Sequence, residues 1–533
     1  MKKILSILFG LVLVFNLCSC AEEDYTEKYA DPAKTNKVSC EKLMTGMFYI
    51  GRDYTFNTYW RMYTWDNGII GTYSQTIGFT NSSNGLYSAN DSYANSRWEN
   101  FYNVLAQYRL MEKTYEELAE NQKPIYRVFV CLAEIYLYDH LSQMIDIFGD
   151  VPFSTAGYLG ITSDVVASYA SYDSQADLYT MMLDNLGALY AEIRSISGNI
   201  ENLPLTVKYL SAQDFYNDGD LDKWMRYCNS LRLRLAVRVS SQGALAAKGK
   251  TVVAEILNGN LPLVSNLSQT IMATPDTDGF NYGDQFRDGY KDHSRAPQAM
   301  IDVLYTKASL GENDPRLPIM YSANAKGEYK GLSTINETLY DQQQNIALPE
   351  SQRVYSRIDS TTVIYNRQLL SPIVTAAEVD FLRAEAYQKG WANGDAKAAF
   401  IAGMLHSAEF YFLENSVSTS GDGTKMDMPA ESVVTGYAEK VWNAASNKEV
   451  AIITQKWLNF GYMQPSQAWN EIRRTGYPSL YYPEDPMASI LKTVPNRVMY
   501  PNTEKSYNNA NYSAQIQKMG GSDDPYIKIF WAK

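Results

Sequence analysis

Histidine and cysteine are nearly missing from this chain: 3 and 5 in 533 residues. Three scattered histidines, His140, His293 and His406, leave little material for zinc chemistry. Five cysteines are too few to staple a scaffold of this length with disulfides. A basic excess is also lacking. The formal net charge is −12, and it becomes more negative once Lys2 and Lys3 leave with the N-terminal leader. That excludes a duplex nucleic-acid binder, which needs a basic face to neutralise phosphates, and disfavours attachment to anionic lipid through a basic patch. Beyond the leader there is no apolar run of the length a membrane-spanning helix requires. Common enzyme signatures fail as well: neither His-Glu-x-x-His nor Gly-x-Ser-x-Gly occurs. Gly243 to Thr251 imitates a phosphate loop, but its glycines are one residue too far apart and no buried strand precedes them.

Aromatic residues are plentiful, with 42 tyrosines and 9 tryptophans, and the chain is 45% apolar. That is ample for a core and excludes a disordered chain. The N-terminus reads as an address. Lys2-Lys3 is a positive n-region, and Ile4 to Phe15 is an apolar stretch of signal-peptide length. Leu17-Cys18-Ser19-Cys20 follows and resembles a bacterial lipobox, in which Cys20 is acylated and becomes the first mature residue. Ala21-Glu22-Glu23-Asp24 resembles the acidic tag that sends lipoproteins to the cell surface in some Gram-negative bacteria. Residues 1–19 are thus read as signal peptide and 20–39 as a lipidated tether. After processing, Cys40, Cys131 and Cys228 remain, an odd set read as buried free thiols.

Helical periodicity begins with Arg97 to Glu120, where Trp98, Phe101, Leu105 and Tyr108 recur at spacings of three and four. Lys123-Pro124 interrupts, and Ile125 to Ile147 forms a second helix of similar length, stopped by Gly149 and Pro152. Similar segments recur at Gln175–Ile196, Leu221–Ser241, Ala376–Gly390, Ala396–Leu413, Glu449–Tyr462 and Ser466–Arg474. The pattern predicts a mainly α fold: a tetratricopeptide-like helical-repeat scaffold carrying long irregular loops. The loops are expected at about 51–95, 275–294, 323–373 and 482–522, within one domain spanning 40–533.

Several segments resemble the SusD/RagB family of nutrient-binding outer-membrane lipoproteins. Gly149-Asp150-Val151-Pro152 resembles its "GDVP" turn. Trp224 to Ala236, reading Trp-Met-Arg-Tyr-Cys-Asn-Ser-Leu-Arg-Leu-Arg-Leu-Ala, resembles its "NSLRLRlA" helix. Asp314-Pro315-Arg316-Leu317-Pro318 matches "DPRLP", and Glu378 to Ala386 resembles the "E..fLrAEAy" helix. Trp469 to Pro478 resembles "RRTGYP", a mark of one branch. These motifs occur in the family's order over nearly the whole mature chain. The resemblance implies a non-enzymatic surface protein that captures a nutrient, usually an oligosaccharide, and passes it to a TonB-dependent, SusC-like transporter. A peptide-binding member, or a surface glycoside hydrolase, is the alternative; 59 acids always offer carboxylate pairs. No cofactor is expected. Asp218, Asp220 and Asp222 alternate but lack the glycine and distal glutamate of a calcium hand. They read as a turn that caps the helix from Leu221, with calcium left possible.

The shared motifs look structural. Arg234 and Arg238 lie four apart on one helix face and are expected to pair with acids such as Glu385 or to cap carbonyls. Arg473-Arg474-Thr475-Gly476 reads as a helix C-terminus. A sugar site instead needs aromatic faces for C–H surfaces and amides or charges for hydroxyls. Between Gly51 and Asn95 lie Tyr54, Tyr59, Trp60, Tyr63, Trp65, Tyr73, Phe79, Tyr87 and Tyr93, with Asn67, Gln75, Asn81 and Asn84 among them. Trp65, Asn67, Tyr73 and Gln75 are the chosen ligand candidates, because the two rings follow no helical period and neighbour amides. Tyr282, Arg287 and Tyr290 form a second candidate loop. Trp98 keeps the period of Phe101 and Leu105 and reads as core.

Overall fold

The structure is a computed structural model, and it describes residues 38–78, 86–87, 90–275, 295–333, 350–419, 425–485 and 488–533. Long helices dominate it: α1 (Cys40–Thr55), α2 (Asp91–Glu116), α3 (Lys123–Phe148), α4 (Gln175–Ser197), α5 (Leu221–Ser240) and α6 (Ala246–Asn258). After a less regular middle come α7 (Ala376–Gln388), α8 (Ala396–Val417), α9 (Glu431–Ala444), α10 (Lys448–Phe460) and α11 (Pro465–Thr475), then the short α12 (Asn502–Tyr507) and α13 (Asn509–Lys518). Strands are few and short among the described residues, in three two-stranded antiparallel pairs. The fold is the helical, tetratricopeptide-like scaffold that the spacing predicted.

Local chemistry sets the ends of these helices. Pro124 sits in the first turn of α3, where no amide partner is lost, so it opens that helix. Asp220 caps α5 by accepting from the amides of Asp222 and Lys223. Gly149 ends α3 at φ +88 and Gly476 ends α11 at φ +80, both left-handed positions that suit glycine. The reading of Arg473 to Gly476 as a helix terminus holds.

Neighbours in sequence pack on one another from α1 through α6, and α5 also meets α7, which packs on α8 and α10. Buried charge joins these layers. Arg234 of α5 grips Glu378 of α7 with both arms, at 2.5 and 2.7 Å, and donates to the Ile373 carbonyl at 2.6 Å. Arg238 pairs with Asp146 of α3. Glu385 takes a different partner from the one expected. It joins Lys456, Glu471 and Arg474 in a fully buried quartet tying α7, α10 and α11 together. Within the "DPRLP" turn, Arg316 folds back on Asp314 at 2.7 Å and reaches Ser407 and Gln455. Cys40, Cys131 and Cys228 are free, buried thiols, and burial pushes the Cys40 thiol up to about 12.

Three expectations need correction. Residues 51–95 are not one long loop: α1 runs to Thr55, a π-helix covers Trp60–Ile70, and α-helix continues over Gly71–Ser74. The stretch 482–522 carries α12 and α13. The acids facing Arg234 and Arg238 are Glu378, Asp139 and Asp146 rather than Glu385.

Candidate functional site

The π-helix Trp60–Ile70 lies against α1, α2 and α11, and its two sides differ. A π-helix bonds i to i+5 and is wound wider than an α-helix, and here the packing of α1, α2 and α11 decides which of its residues are covered. Trp65 is 3% exposed, Tyr73 1%, Gln75 4% and Asn67 7%. Rings so deeply covered offer no face to a sugar. Tyr73 instead donates to the Tyr87 carbonyl at 2.7 Å and packs on Trp469. Gln75 donates to the Tyr481 carbonyl at 2.6 Å from a left-handed backbone, φ +50. The structure thus makes these residues part of the packed interior. Tyr282, Arg287 and Tyr290 fall outside the described residues, as do Phe79, Asn81, Asn84 and Cys20.

The outward side of the π-helix is aromatic. Tyr59 is 40% exposed and Trp60 42%. Tyr59 stacks on the half-buried Tyr63, with ring centroids 5.0 Å apart and planes 22° from parallel. Trp60 meets Tyr59 edge-on at 5.8 Å. Tyr93, from the first turn of α2, completes the group: a Cβ added at Gly68 would stand 3.4 Å from its ring. Partial burial, then the neighbouring Tyr63, pushes the Tyr59 hydroxyl above its ordinary value. Tyr93 is raised in the same way by burial and then by Tyr59 and Tyr63. Near the same end of α1, the Arg52 guanidinium lies 3.3 Å over the exposed Tyr49 ring. All four rings of the group were in the aromatic cluster legible in the sequence, but the choice among them fell on the buried members.

Beneath this platform the inner side of the π-helix closes a small polar cavity. Tyr54, Arg61, Trp65, Asp66, Arg97 and His140 line it, and its volume is about 60 Å³. That size and lining suit a few ordered waters. Arg61 bonds Asp66 at 3.3 Å. Burial, opposed by Arg61, pushes the Asp66 carboxyl up to about 7. Arg97 is 1% exposed; its cation lies over the Tyr54 ring at 4.8 Å, and burial lowers it to about 10. The same burial, with Arg97 beside it, drives the His140 imidazole well below its ordinary value, so it stands neutral. The platform is therefore set over a buried, charge-bearing cavity. Among the described residues no group of three or more His, Cys, Asp or Glu side chains could hold a metal ion, and no helix is long and apolar enough to cross a membrane.

Comparison with known proteins places this geometry in context. A family described as "Starch-binding associating with outer membrane" matches residues 32–501. Among solved structures, a protein described as chitin-binding superposes with a TM-score of 0.72 at 20% identity, covering 92% of this chain and 100% of its own. A SusD homologue from Bacteroides fragilis gives 0.69 at 18% identity, over 93% and 100%. A chitin-binding SusD homologue from Flavobacterium johnsoniae gives 0.68 at 21% identity, over 92% and 98%. A search of proteins with curated functions finds no match.

Proposed function

The chain belongs to the SusD-like family of starch-binding proteins that associate with the outer membrane, and from that premise we propose that it captures an oligosaccharide on the platform of Tyr59, Trp60, Tyr63 and Tyr93. One observation carries this reading. Five of the nine described rings in residues 51–95 are buried, yet Tyr59 and Trp60 stand out together at the start of the π-helix. Exposed flat faces gathered in this way match the C–H faces of sugar rings. Tyrosine and tryptophan also contribute large contact area at little entropic cost.

The protein acts by binding and hand-off, without catalysis. Cys20 carries the lipid that holds it to the outer leaflet, at about 0.8 kcal/mol per buried CH₂. The receiver is a TonB-dependent, SusC-like transporter. Release to that transporter requires moderate affinity, which suits an open platform better than an enclosed pocket. The chitin-binding structural neighbours support a glycan over a peptide.

The test is a calorimetric titration of the full chain in detergent against panels of oligosaccharides and peptides, with mass spectrometry of each mixture. Saturable binding of a sugar recovered intact is expected. A cleaved sugar would replace capture with hydrolysis, and saturation by peptides alone would replace the ligand class.

A further inference from the structure

A second cleft lies away from the platform, where α2, the segment after the "GDVP" turn and α12 converge. Its volume is about 530 Å³, within the range of small-ligand sites. Tyr507 on α12 is 75% exposed and Tyr169 opposite is 52% exposed. Tyr102 and the buried Trp98 contribute the floor, and Glu99, Asn103 and Glu504 line the edges.

The walls are fixed by bonds between segments distant in sequence. Asn508 donates to the Ala170 carbonyl at 2.9 Å, and Asn511 to the Tyr169 carbonyl at 3.1 Å. The Tyr172 hydroxyl donates to Glu504 Oε2 at 2.8 Å, and the Tyr102 hydroxyl to the Pro152 carbonyl at 2.8 Å. The cleft is thus held open in advance, which lowers the ordering cost of binding. Its Glu504 contact uses one carboxylate oxygen and leaves Oε1 for a ligand. Among the described residues, no lysine or arginine lines it.

We propose that this cleft is a second carbohydrate site, taking one or two neutral sugar rings between Tyr169 and Tyr507. It rests on the glycan reading for its ligand class but not on the platform. The rings stack against the sugar's C–H faces, while Glu99, Glu504 and the Asn103 amide bond its hydroxyls. Two carboxylates without a basic partner reject uronic or sulfated sugars by repulsion and uncompensated desolvation. The α2 residues of the cleft lie about one and a half to three turns from Tyr93, roughly 8 to 15 Å along the helix at 1.5 Å per residue.

The experiment titrates the full chain in detergent with maltose, cellobiose and N,N′-diacetylchitobiose, and with a uronic-acid disaccharide. It uses the wild type, Tyr59→Ala with Trp60→Ala, and Tyr169→Ala with Tyr507→Ala. Both exchanged tyrosines are exposed, so melting temperatures should stay near the wild-type value. Two sites are expected in the wild type for a neutral disaccharide. The platform variant should keep one, and the Tyr169/Tyr507 variant should bind that residual site at least tenfold more weakly. Unchanged binding and stoichiometry in the Tyr169/Tyr507 variant would overturn the second site, and so would equal binding of the uronic-acid sugar in the platform variant. Loss only in the Tyr169/Tyr507 variant would leave the cleft standing and remove the platform. No binding of any sugar by the wild type would remove both.

Discussion

At the scale of single residues, burial separates structural rings from exposed ones. Trp65 and Trp60 are five residues apart on one π-helix, yet one is 3% and the other 42% exposed. Trp65→Ala should therefore cost about 3–5 kcal/mol through the void it leaves, whereas Trp60→Ala should shift stability by no more than about 0.5 kcal/mol. Chemical denaturation of both variants checks this, and equal losses would contradict the assigned faces. The sequence showed where aromatics cluster. It could not show which face outward, because burial here is set by packing against α1, α2 and α11, which lie far from this segment in sequence or are not legible there as its neighbours. Asp66 supplies a second prediction. Its folded carboxyl titrates at about 7, against an ordinary value near 4 in the unfolded chain. Between those values the folded state holds the extra proton, so this contribution to stability is complete at low pH and is lost as pH rises through about 7. Urea midpoints at pH 5 and pH 8 should show the wild type losing on the order of 2 kcal/mol more than Asp66→Asn. A parallel loss in both proteins would exclude Asp66 as the cause.

At the scale of elements, most long helices were legible because apolar residues recur at three and four and proline or glycine punctuates their ends. Helix α3 starts within two residues of its predicted position and α4 at the predicted one. Helix α1 was missed for a physical reason. The sequence assigns no element to its first turns, and its end falls in the loop expected from Gly51, but Gly51 serves close packing: a Cβ there would collide with the Tyr136 hydroxyl of α3. Gly51→Ala should cost about 1–3 kcal/mol by overpacking, read as a lower melting temperature. A neutral effect would mean that α1 does not pack on α3 as described. The buried quartet makes the complementary case. Arg474 binds Glu385 and Glu471 where all three are almost fully covered, so Arg474→Ala leaves buried carboxylates uncompensated. A loss of about 3–5 kcal/mol is expected by urea denaturation. A loss below about 1 kcal/mol would show that Lys456 alone satisfies both acids.

At the scale of the whole molecule, the motifs that reveal the family are the bolts of the scaffold. Arg234, Arg316, Glu378, Glu385 and Arg474 are all buried in ion pairs, which is why they form recognisable patterns and carry no information about the ligand. The residues proposed to meet a sugar obey no such constraint. Tyr59, Trp60, Tyr169 and Tyr507 are exposed where packing sets no rule, so the fold is readable from sequence and the specificity is not. The account's central claim is that an oligosaccharide lies on the platform. A crystal structure of the full chain with its best-binding oligosaccharide tests it most directly. The account predicts a sugar ring stacked within about 4 Å of Tyr59, Trp60 or Tyr63, at ordinary apolar contact distance. A well-ordered sugar bound elsewhere, with these rings left in solvent, would contradict it.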